Sequence, residues 1–218
     1  MRNIYDQEMR DIQRDSIHMC NLAAETFQDA MEAVRRRDFT LVDRVHEQDQ
    51  LIRSMRMAIN ERVMRMIATQ HPVTVDLRKL FYLVHTADEM ERVGYQAAAI
   101  GRAILRTENG KVLLREDIYR MSERTAAMLE RTLTGSLSDD VEAVRNVIKM
   151  DDEVDVLYEQ IYRECITRQG DQSSLDSDLA TALNVALYIE HVGDHAVNWA
   201  RWWLYFSGVR DRDSEVIV

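Results

Sequence analysis

The sequence predicts an all-α protein of six long antiparallel helices that form two tandem, pseudo-symmetric three-helix bundles, and three observations support this class. The 218 residues include a single proline, Pro72, and seven glycines, while Arg, Glu, Ala, Leu and Met are abundant, which favours helices over sheets. Apolar residues recur three and four positions apart, as between 41 and 66, and such spacing forms one apolar stripe on a helix. Finally, a stretch of the first half recurs in the second.

Breaks in the apolar pattern divide the chain into six helices. The breaks are expected at the Arg37-Asp38 junction, Pro72, Gly110, Gly135, Gly170 and Gly208, because glycine and proline commonly follow or end helices. The predicted helices are 4–36, 39–69, 73–106, 112–134, 138–168 and 174–207. Each exceeds twenty residues, a length that is ordinary in antiparallel bundles with short loops.

The repeat is clearest where E-R-V-G-Y-Q-A at 91–97 matches E-H-V-G-D-H-A at 190–196, an offset of 99 that aligns Gly94 with Gly193. Upstream, V-H-E-Q-D at 45–49 matches V-I-K-M-D at 147–151 at an offset of 102, and the connector around Pro72 absorbs the difference. These matches predict two units, residues 1–108 and 109–218. A glycine inside a helix costs about 1 kcal/mol relative to alanine, so we expect a close approach between helices at both positions.

Composition and charge narrow the class of protein. The formal net charge is −10, and the dense basic run of Arg35, Arg36 and Arg37 is expected to complement the C-terminus of a helix, so we expect no nucleic-acid partner. Cys20 and Cys165 are expected to be reduced and buried. The first residues lack an apolar signal region, and no run of about 18 apolar residues occurs. We therefore expect a soluble, cytoplasmic protein that meets membranes only through partners.

The last two helices carry two pairs of acids in register with apolar residues: Asp151 and Asp155, then Glu190 and Asp194. If these helices are antiparallel neighbours, the pairs face inward and meet at the helix midpoints. Four buried carboxylates cost several kcal/mol each unless a cation compensates them. The pattern therefore predicts a metal site, for which Mg, Mn, Fe, Zn or Ca are possible ions.

Other interpretations of these acids stay open. Most carboxylate pairs spaced by four lie on solvated helix faces, and a water-filled seam with Arg201 as counterion is a further alternative. His195 and Asn198 lie close by in sequence as weaker candidates, either as ligands or as donors to ligands.

The corresponding positions of the first half are Asp49 and Arg53, then Glu91 and Tyr95, so each pair keeps its first acid and loses its second. Arg53 is expected to neutralise either Asp49 or Glu91. We therefore expect one metal site, in the second half. Asp88 lies one turn before Glu91, so a weaker second site formed by Asp49, Asp88 and Glu91 stays possible.

Three motifs together make the chain similar to the PhoU family of regulators of phosphate uptake and signalling. They are H-P-V-T-V-D-L-R-K at 71–79, A-D-E-M-E-R-V-G at 87–94 and Y-I-E-H-V-G-D-H-A-V-N at 188–198. The resemblance covers nearly the whole chain. It implies a regulator rather than an enzyme, acting with the ATPase of a phosphate ABC transporter and a membrane sensor histidine kinase to damp the starvation response when phosphate is plentiful.

The resemblance also bears on the site and on assembly. The family's acidic motifs bind metal ions, and here those positions are Asp151, Asp155, Glu190 and Asp194. Arg53 and Tyr95 depart from the pattern and put a first-half site in doubt. Family members are often dimers, so a homodimer is expected.

Two other functions stay open. A ferritin-like di-metal oxidase would use Glu-x-x-His motifs, but His18 and His46 follow Asp15 and Asp43, and no histidine has a glutamate three residues before it. A metal-free helical adaptor would keep the partners and lack the ion. Trp199, Trp202 and Trp203 cannot all share one helix face, so at least one is expected near the surface, where it would meet a partner, a second subunit or lipid headgroups.

Overall fold

The computed structural model describes residues 2–105, 116–170 and 177–208, and these form six helices without a strand. The helices are α1 (Arg2–Arg36), α2 (Phe39–Gln70), α3 (Thr74–Leu105), α4 (Glu116–Ser138), α5 (Val141–Gly170) and α6 (Ser177–Phe206). The predicted all-α class of six long helices is therefore confirmed.

Short connections with specific end residues separate α1 from α2, α2 from α3 and α4 from α5. Arg37, His71 and Asp139 have positive φ angles of 58°, 47° and 54°, the left-handed conformation that ends a helix. The carboxylate of Asp38 accepts a hydrogen bond of 2.9 Å from the backbone amide of Thr40 and so caps α2. These contacts account for the break predicted at residues 37 and 38.

Gly135 does not end a helix, contrary to the prediction. It lies inside α4, which continues to Ser138, and Asp139 takes the left-handed position instead. A Cβ at residue 135 would lie 2.8 Å from Val144 Cγ2, so glycine is needed where α4 and α5 come together at their short connection. Gly170 is the last residue of α5, Gly208 follows α6 with a φ of 78°, and Gly110 lies outside the described residues.

The six helices form two bundles that pack side by side. Helices α1, α2 and α3 contact one another, as do α4, α5 and α6, and the bundles meet mainly where α3 packs against α6, with α1 against α4. Within the described ranges, α2 contacts only its own bundle and so does α5, which places these two helices at opposite sides of the molecule. The predicted boundary between residues 108 and 109 lies outside the described part.

The two internal glycines of the repeat lie at matching close approaches. A Cβ at Gly94 would lie 2.9 Å from Ile52 Cδ1, and one at Gly193 would lie 3.6 Å from Val154 Cγ1, the residue 102 positions after Ile52. Glycine therefore brings α3 close to α2 and α6 close to α5 in the same manner. This geometry supports the expected compensation for glycine inside a helix.

The core where the bundles meet contains Trp199, of which 1% is exposed. Its indole N–H donates to the hydroxyl groups of Tyr82, at 3.0 Å, and Thr86, at 3.1 Å. Cys20 and Cys165 are both buried thiols, as predicted, and burial raises the pKa of the Cys20 thiol.

Candidate metal centre in the second bundle

The seam between α5 and α6 brings the four predicted acids of the second half into one electrostatic cluster. Burial and the neighbouring charges of Asp155 and Asp194 raise the pKa of Asp151 to about 6. Burial, followed by the charges of the other three acids, raises the pKa of Glu190 to about 7. Burial and the charge of Asp194 also raise the pKa of Asp155. Each shift shows that a proton or another cation is favoured here.

The acids do not lie on the most buried stripe, contrary to the prediction. Asp151 and Glu190 are half-buried at the edge of the core, whereas Asp155 and Asp194 are exposed. Buried positions of the two helices include Val147, Val154, Ile161, Val185, Ile189, Val192 and Ala196. The prediction failed because a spacing of three and four residues can be drawn through two adjacent registers of one helix. The carboxylates thus line a seam that is open to solvent.

Most of this negative charge has no partner within the described part of the chain. Asp151, Asp155 and Asp194 form no ion pair or side-chain hydrogen bond with any described residue. Arg201 lowers the pKa of Asp151 by its charge, but it acts at longer range than an ion pair. The predicted role of Arg201 as a counterion is therefore supported only in part.

Glu190 provides a test of whether a metal ion fits this seam. Its Oε2 atom is buried and accepts no hydrogen bond, and the nearest partner is His191 Nε2 at 3.6 Å. An unpartnered carboxylate oxygen among three other acids matches the ligands and charge that a hard divalent cation prefers. By charge and by donor type, the residues fit a metal ion.

The side chains are not prearranged around one ion. Among the described residues, no group of three or more His, Cys, Asp or Glu side chains is positioned to hold a metal. Asp155 and Asp194 are exposed, so their side chains can change rotamer with little loss of packing. Binding would therefore involve rotation of these carboxylates toward Asp151 and Glu190.

The two weaker candidate ligands of the second half, His195 and Asn198, have different surroundings. His195 Nδ1 lies 2.9 Å from Glu89 Oε2 on α3, with 14% and 12% of the two side chains exposed. This nitrogen is thus engaged in a contact between the bundles rather than in the acid layer. Glu89 lies outside the repeated motif, and no spacing in the sequence points to it. Asn198 is half-buried one turn beyond Asp194 and makes no hydrogen bond with a described residue.

In the first bundle an arginine compensates the inner aspartate. The side chain of Asp49 is 2% exposed, and Arg53 Nη2 lies 3.0 Å from its Oδ2. Arg53 Nε donates a second, longer hydrogen bond of 3.4 Å to Oδ1, and this pairing raises the pKa of the Arg53 guanidinium. Of the two predicted pairings of Arg53, the one with Asp49 is therefore observed.

Arg56, which the sequence pattern did not single out, compensates the two other acids of this half. Arg56 forms ion pairs with Glu91 Oε2 at 2.7 Å and with Asp88 Oδ1 at 3.4 Å. Arg56 lies seven residues after Asp49 and therefore on the same helix face, which is the signal that could have identified it. All three weaker candidates of the first half, Asp49, Asp88 and Glu91, are thus in ion pairs.

Tyr95 completes the difference between the halves. Arg53 lies 5.8 Å and Arg102 lies 5.7 Å from the centre of its ring, within the range of cation–π contacts. Tyr95 stands where the second half has Asp194, and Arg102 stands where it has Arg201. The first half therefore holds two arginines against an aromatic ring, whereas the second has one arginine beside four acids.

The aromatic group of α6 is divided between core and surface. Trp199 and Trp203 are buried, with 1% and 6% of their surface exposed, so neither is available for contact with a partner. Trp202 is half-buried and stacks on His85 at 3.8 Å between ring centres. Tyr205 is 60% exposed beside it. The prediction that at least one tryptophan lies near the surface is confirmed for Trp202.

The residues considered for an oxidase do not form a metal cluster. His18 and His46 are exposed. Asp15 forms an ion pair with Arg62, and His46 contacts the Gln50 amide at 3.0 Å. These side chains have ordinary surface contacts and no shared cation site.

A family model described as the PhoU domain matches residues 17–104 and again residues 118–203. The chain belongs to the PhoU family. It is 28% identical over 199 residues to a phosphate-specific transport system accessory protein PhoU homolog of Clostridium acetobutylicum, covering 90% of this chain and 91% of that protein. It is also 28% identical over 209 residues to the PhoU accessory protein of Escherichia coli K12, covering 95% and 86%.

Solved structures support the same architecture. The structure of PhoU from Pseudomonas aeruginosa superposes with a TM-score of 0.88 at 25% identity, covering 93% of this chain and 98% of that one. The phosphate transport system regulatory protein PhoU of Streptococcus pneumoniae gives a TM-score of 0.86 at 21% identity, covering 94% and 98%. None of the described helices combines the length and the apolar character that crossing a membrane requires.

Proposed function

We propose that this chain is a non-enzymatic regulator of phosphate uptake and of phosphate-starvation signalling that acts by binding other proteins. The observation that carries the proposal is the match of a PhoU domain in each half of the chain. Relatives named as accessory proteins of the phosphate-specific transport system align over 90% or more of the chain, which supports the same role here.

The proposed partners are the ATPase of a phosphate ABC transporter and a sensor histidine kinase, with the chain itself as a homodimer in the cytoplasm. The names of the relatives support the transporter, and the family resemblance supports the kinase. In this role the chain would reduce the starvation response when phosphate is plentiful. Trp202 and Tyr205 offer an aromatic surface on α6 that suits a protein contact.

The acid layer of the second bundle is proposed to bind a divalent or trivalent cation. Asp151, Asp155, Glu190 and Asp194 would hold the ion, which would offset the repulsion of carboxylates that have no ion pair. Its role would be structural, because binding would draw α5 and α6 together along the seam. Mg, Mn, Fe, Zn and Ca all accept such oxygen ligands.

Deletion of the chain's gene in its own host tests the regulatory role. A reporter driven by a phosphate-starvation promoter should become active in phosphate-rich medium, and the wild-type gene should silence it again. In parallel, the tagged chain should co-purify with the transporter ATPase more strongly from phosphate-rich than from starved cells. A reporter that stays silent after deletion, together with no recovery of the ATPase, would contradict the proposal.

A metal-free adaptor is the second candidate, because no three acidic or histidine side chains of the described residues are prearranged for an ion. The variant with Asp155→Ala and Asp194→Ala separates the two. If the variant silences the reporter fully and wild-type protein carries no metal, the adaptor is correct. A di-metal oxidase would instead show oxygen consumption with ferrous iron, which we do not expect.

A further inference from the structure

A cleft of about 580 Å³ opens where α3 begins and where α4 and α6 end. Its lining comes from α1, α3, α4 and α6, and therefore from both bundles. The volume lies within the range of about 300 to 1,000 Å³ that is usual for small-molecule sites. None of the four acids of the second bundle is among the residues that line the cleft.

The walls of the cleft are mostly apolar and rigid. Trp199 and Trp203 are almost fully buried in the core, and Leu83, Leu133 and Phe206 add further apolar surface. Two of the polar groups that line the cleft have partners, since the hydroxyls of Tyr82 and Thr86 accept hydrogen bonds from the Trp199 indole. An occupant therefore needs an apolar body and gains little from polar groups in its inner part.

The rim of the cleft carries two exposed cationic side chains. Arg78 and Lys79 lie in the first turns of α3, are exposed, and form no ion pair with any described residue. Asp139, in the connection after α4, is the acid among the lining residues. The N-terminus of α3, at Thr74, adds partial positive charge, but the C-termini of α4 and α6 at the same cleft oppose it, so the side chains of Arg78 and Lys79 supply the positive charge of the rim. An anionic group at this rim would thus meet two cations beside an apolar cavity.

We propose that the cleft binds a single-chain amphipathic anion, with its aliphatic body between Trp203 and Leu133 and its carboxylate at Arg78 and Lys79. This ligand goes beyond the proposed regulatory function and does not depend on it. Charge complementarity favours it over an uncharged apolar molecule. Because both bundles line the cleft, occupation would link them and restrict movement between them.

Decanoate is a suitable probe, and isothermal titration calorimetry measures its binding to the full chain. Decanol and decyltrimethylammonium have the same chain length with an uncharged and a cationic head. We expect decanoate to bind at least about tenfold more tightly than either, since a charge-assisted contact is worth about one factor of ten. A change in tryptophan emission should follow the same titration, because two of the three tryptophans line the cleft.

Two variants and one matched control locate the site. Arg78→Glu with Lys79→Glu should weaken decanoate binding at least about tenfold, and Leu133→Trp, which narrows the apolar part of the cleft, should weaken it as well. Arg92→Glu with Lys149→Glu changes the net charge equally at exposed positions outside the cleft and should leave binding unchanged. Far-ultraviolet circular dichroism confirms that each variant is folded.

Equal binding of the three probes, or equal weakening by the rim variant and its control, would overturn the proposal. Decanoate affinity that is unchanged in the Leu133→Trp variant would also overturn it, because the ligand would lie elsewhere. If decanoate binds only a variant ending at Gly208, residues 209–218 of the chain itself hold the cleft, and the proposal is wrong.

Discussion

The two bundles place acids at the same points of the same framework and compensate them in different ways. In the first, Arg53 pairs with the buried Asp49, and Arg56 pairs with Glu91. In the second, the matching Asp151 and Glu190 have raised pKa values and no arginine in direct contact. The same helix packing can therefore support either a self-contained ion-pair network or a layer of acids without arginine partners among the described residues, the layer that we propose binds a cation.

The difference depends on the outer position of each pair. The inner position is acidic in both halves, as at Asp49 and Asp151. The outer position holds Arg53 in the first half and Asp155 in the second, and both side chains are exposed. The outer position on α2 and α5 thus changes the sign of the local charge without altering the core, and Arg56 adds a second positive charge in the first half only.

Conversion of the first half to the pattern of the second should have the largest effect. Arg53→Asp with Tyr95→Asp removes the cation beside Asp49 and adds two acids. In chelator, we expect the free energy of unfolding to fall by about 4 kcal/mol, of which roughly 2 kcal/mol comes from loss of the half-exposed pair of Arg53 with Asp49 and the rest from repulsion among the added acids. Added divalent metal should restore part of this loss and should raise the bound metal per chain.

Arg53→Ala with Tyr95→Ala is the matched control for that conversion, since it removes the same side chains without adding acids. It should lose stability but gain no metal. If the two double variants bind equal amounts of metal, the outer acids do not determine where an ion binds.

Removal of Arg53 alone should have the next largest effect. Arg53→Ala leaves the nearly buried carboxylate of Asp49 without its guanidinium. About 2 kcal/mol of unfolding free energy should be lost, less than for a fully buried pair because Arg53 is half exposed. Urea denaturation measures this loss, and Asp49→Asn with Arg53→Met should recover more than half of it. A loss below about 0.5 kcal/mol would show that the pair contributes little.

Much of the fold was accessible from the sequence because long helices with regular apolar spacing and short connections leave few alternatives. The end of α4 was predicted four residues too early, since Gly135 serves a close approach to Val144 rather than a helix end. A glycine with either role has the same appearance in a sequence. The actual end depends on the left-handed backbone of Asp139, which only the structure shows.

The acids of the site were identified from spacing, but their depth was not. Asp155 and Asp194 are exposed because the buried stripe passes through Val154 and Val192 instead. Contacts that the site residues make with the helices of the other bundle could not be predicted from spacing. The contact of His195 with Glu89 joins residues 106 positions apart, and it depends on how α3 packs against α6.

Neutralisation of one inner acid should have opposite effects in the two halves. In chelator, Glu190→Gln should raise the free energy of unfolding by about 1 kcal/mol, after screening by water, because it relieves repulsion among the acids. Glu91→Gln should lower it by a similar amount, because it weakens the pairing with Arg56. Thermal and urea denaturation of the two variants give the comparison. Shifts of the same sign in both would remove the proposed difference between the bundles.

The pH dependence of stability should show the same contrast with a smaller effect. Folding raises the pKa of Asp151 to about 6 and of Glu190 to about 7, above the values of about 4 in an unfolded chain. Between the unfolded and the folded pKa values, the folded state therefore binds more protons than the unfolded chain. These protons stabilise the folded state, and that stabilisation is lost as the pH rises through the folded pKa values. The unfolding free energy of chelated protein should decline from pH 5 to pH 8.

Glu190→Gln should flatten this decline, whereas Glu91→Gln should leave the slope as it is in the wild type. A wild-type slope that rises with pH over this range, or one that Glu91→Gln flattens instead, would assign the titration to other groups.

Metal content of protein purified without chelators tests the central claim most directly. Inductively coupled plasma mass spectrometry should find divalent or trivalent metal bound to the wild-type chain and to the Arg53→Ala, Tyr95→Ala variant in equal amounts. The Asp155→Ala, Asp194→Ala variant should lose nearly all of it while keeping its helical spectrum. Unchanged metal content in that variant, or a loss confined to the first-half variant, would contradict the assignment of the metal to the seam between α5 and α6.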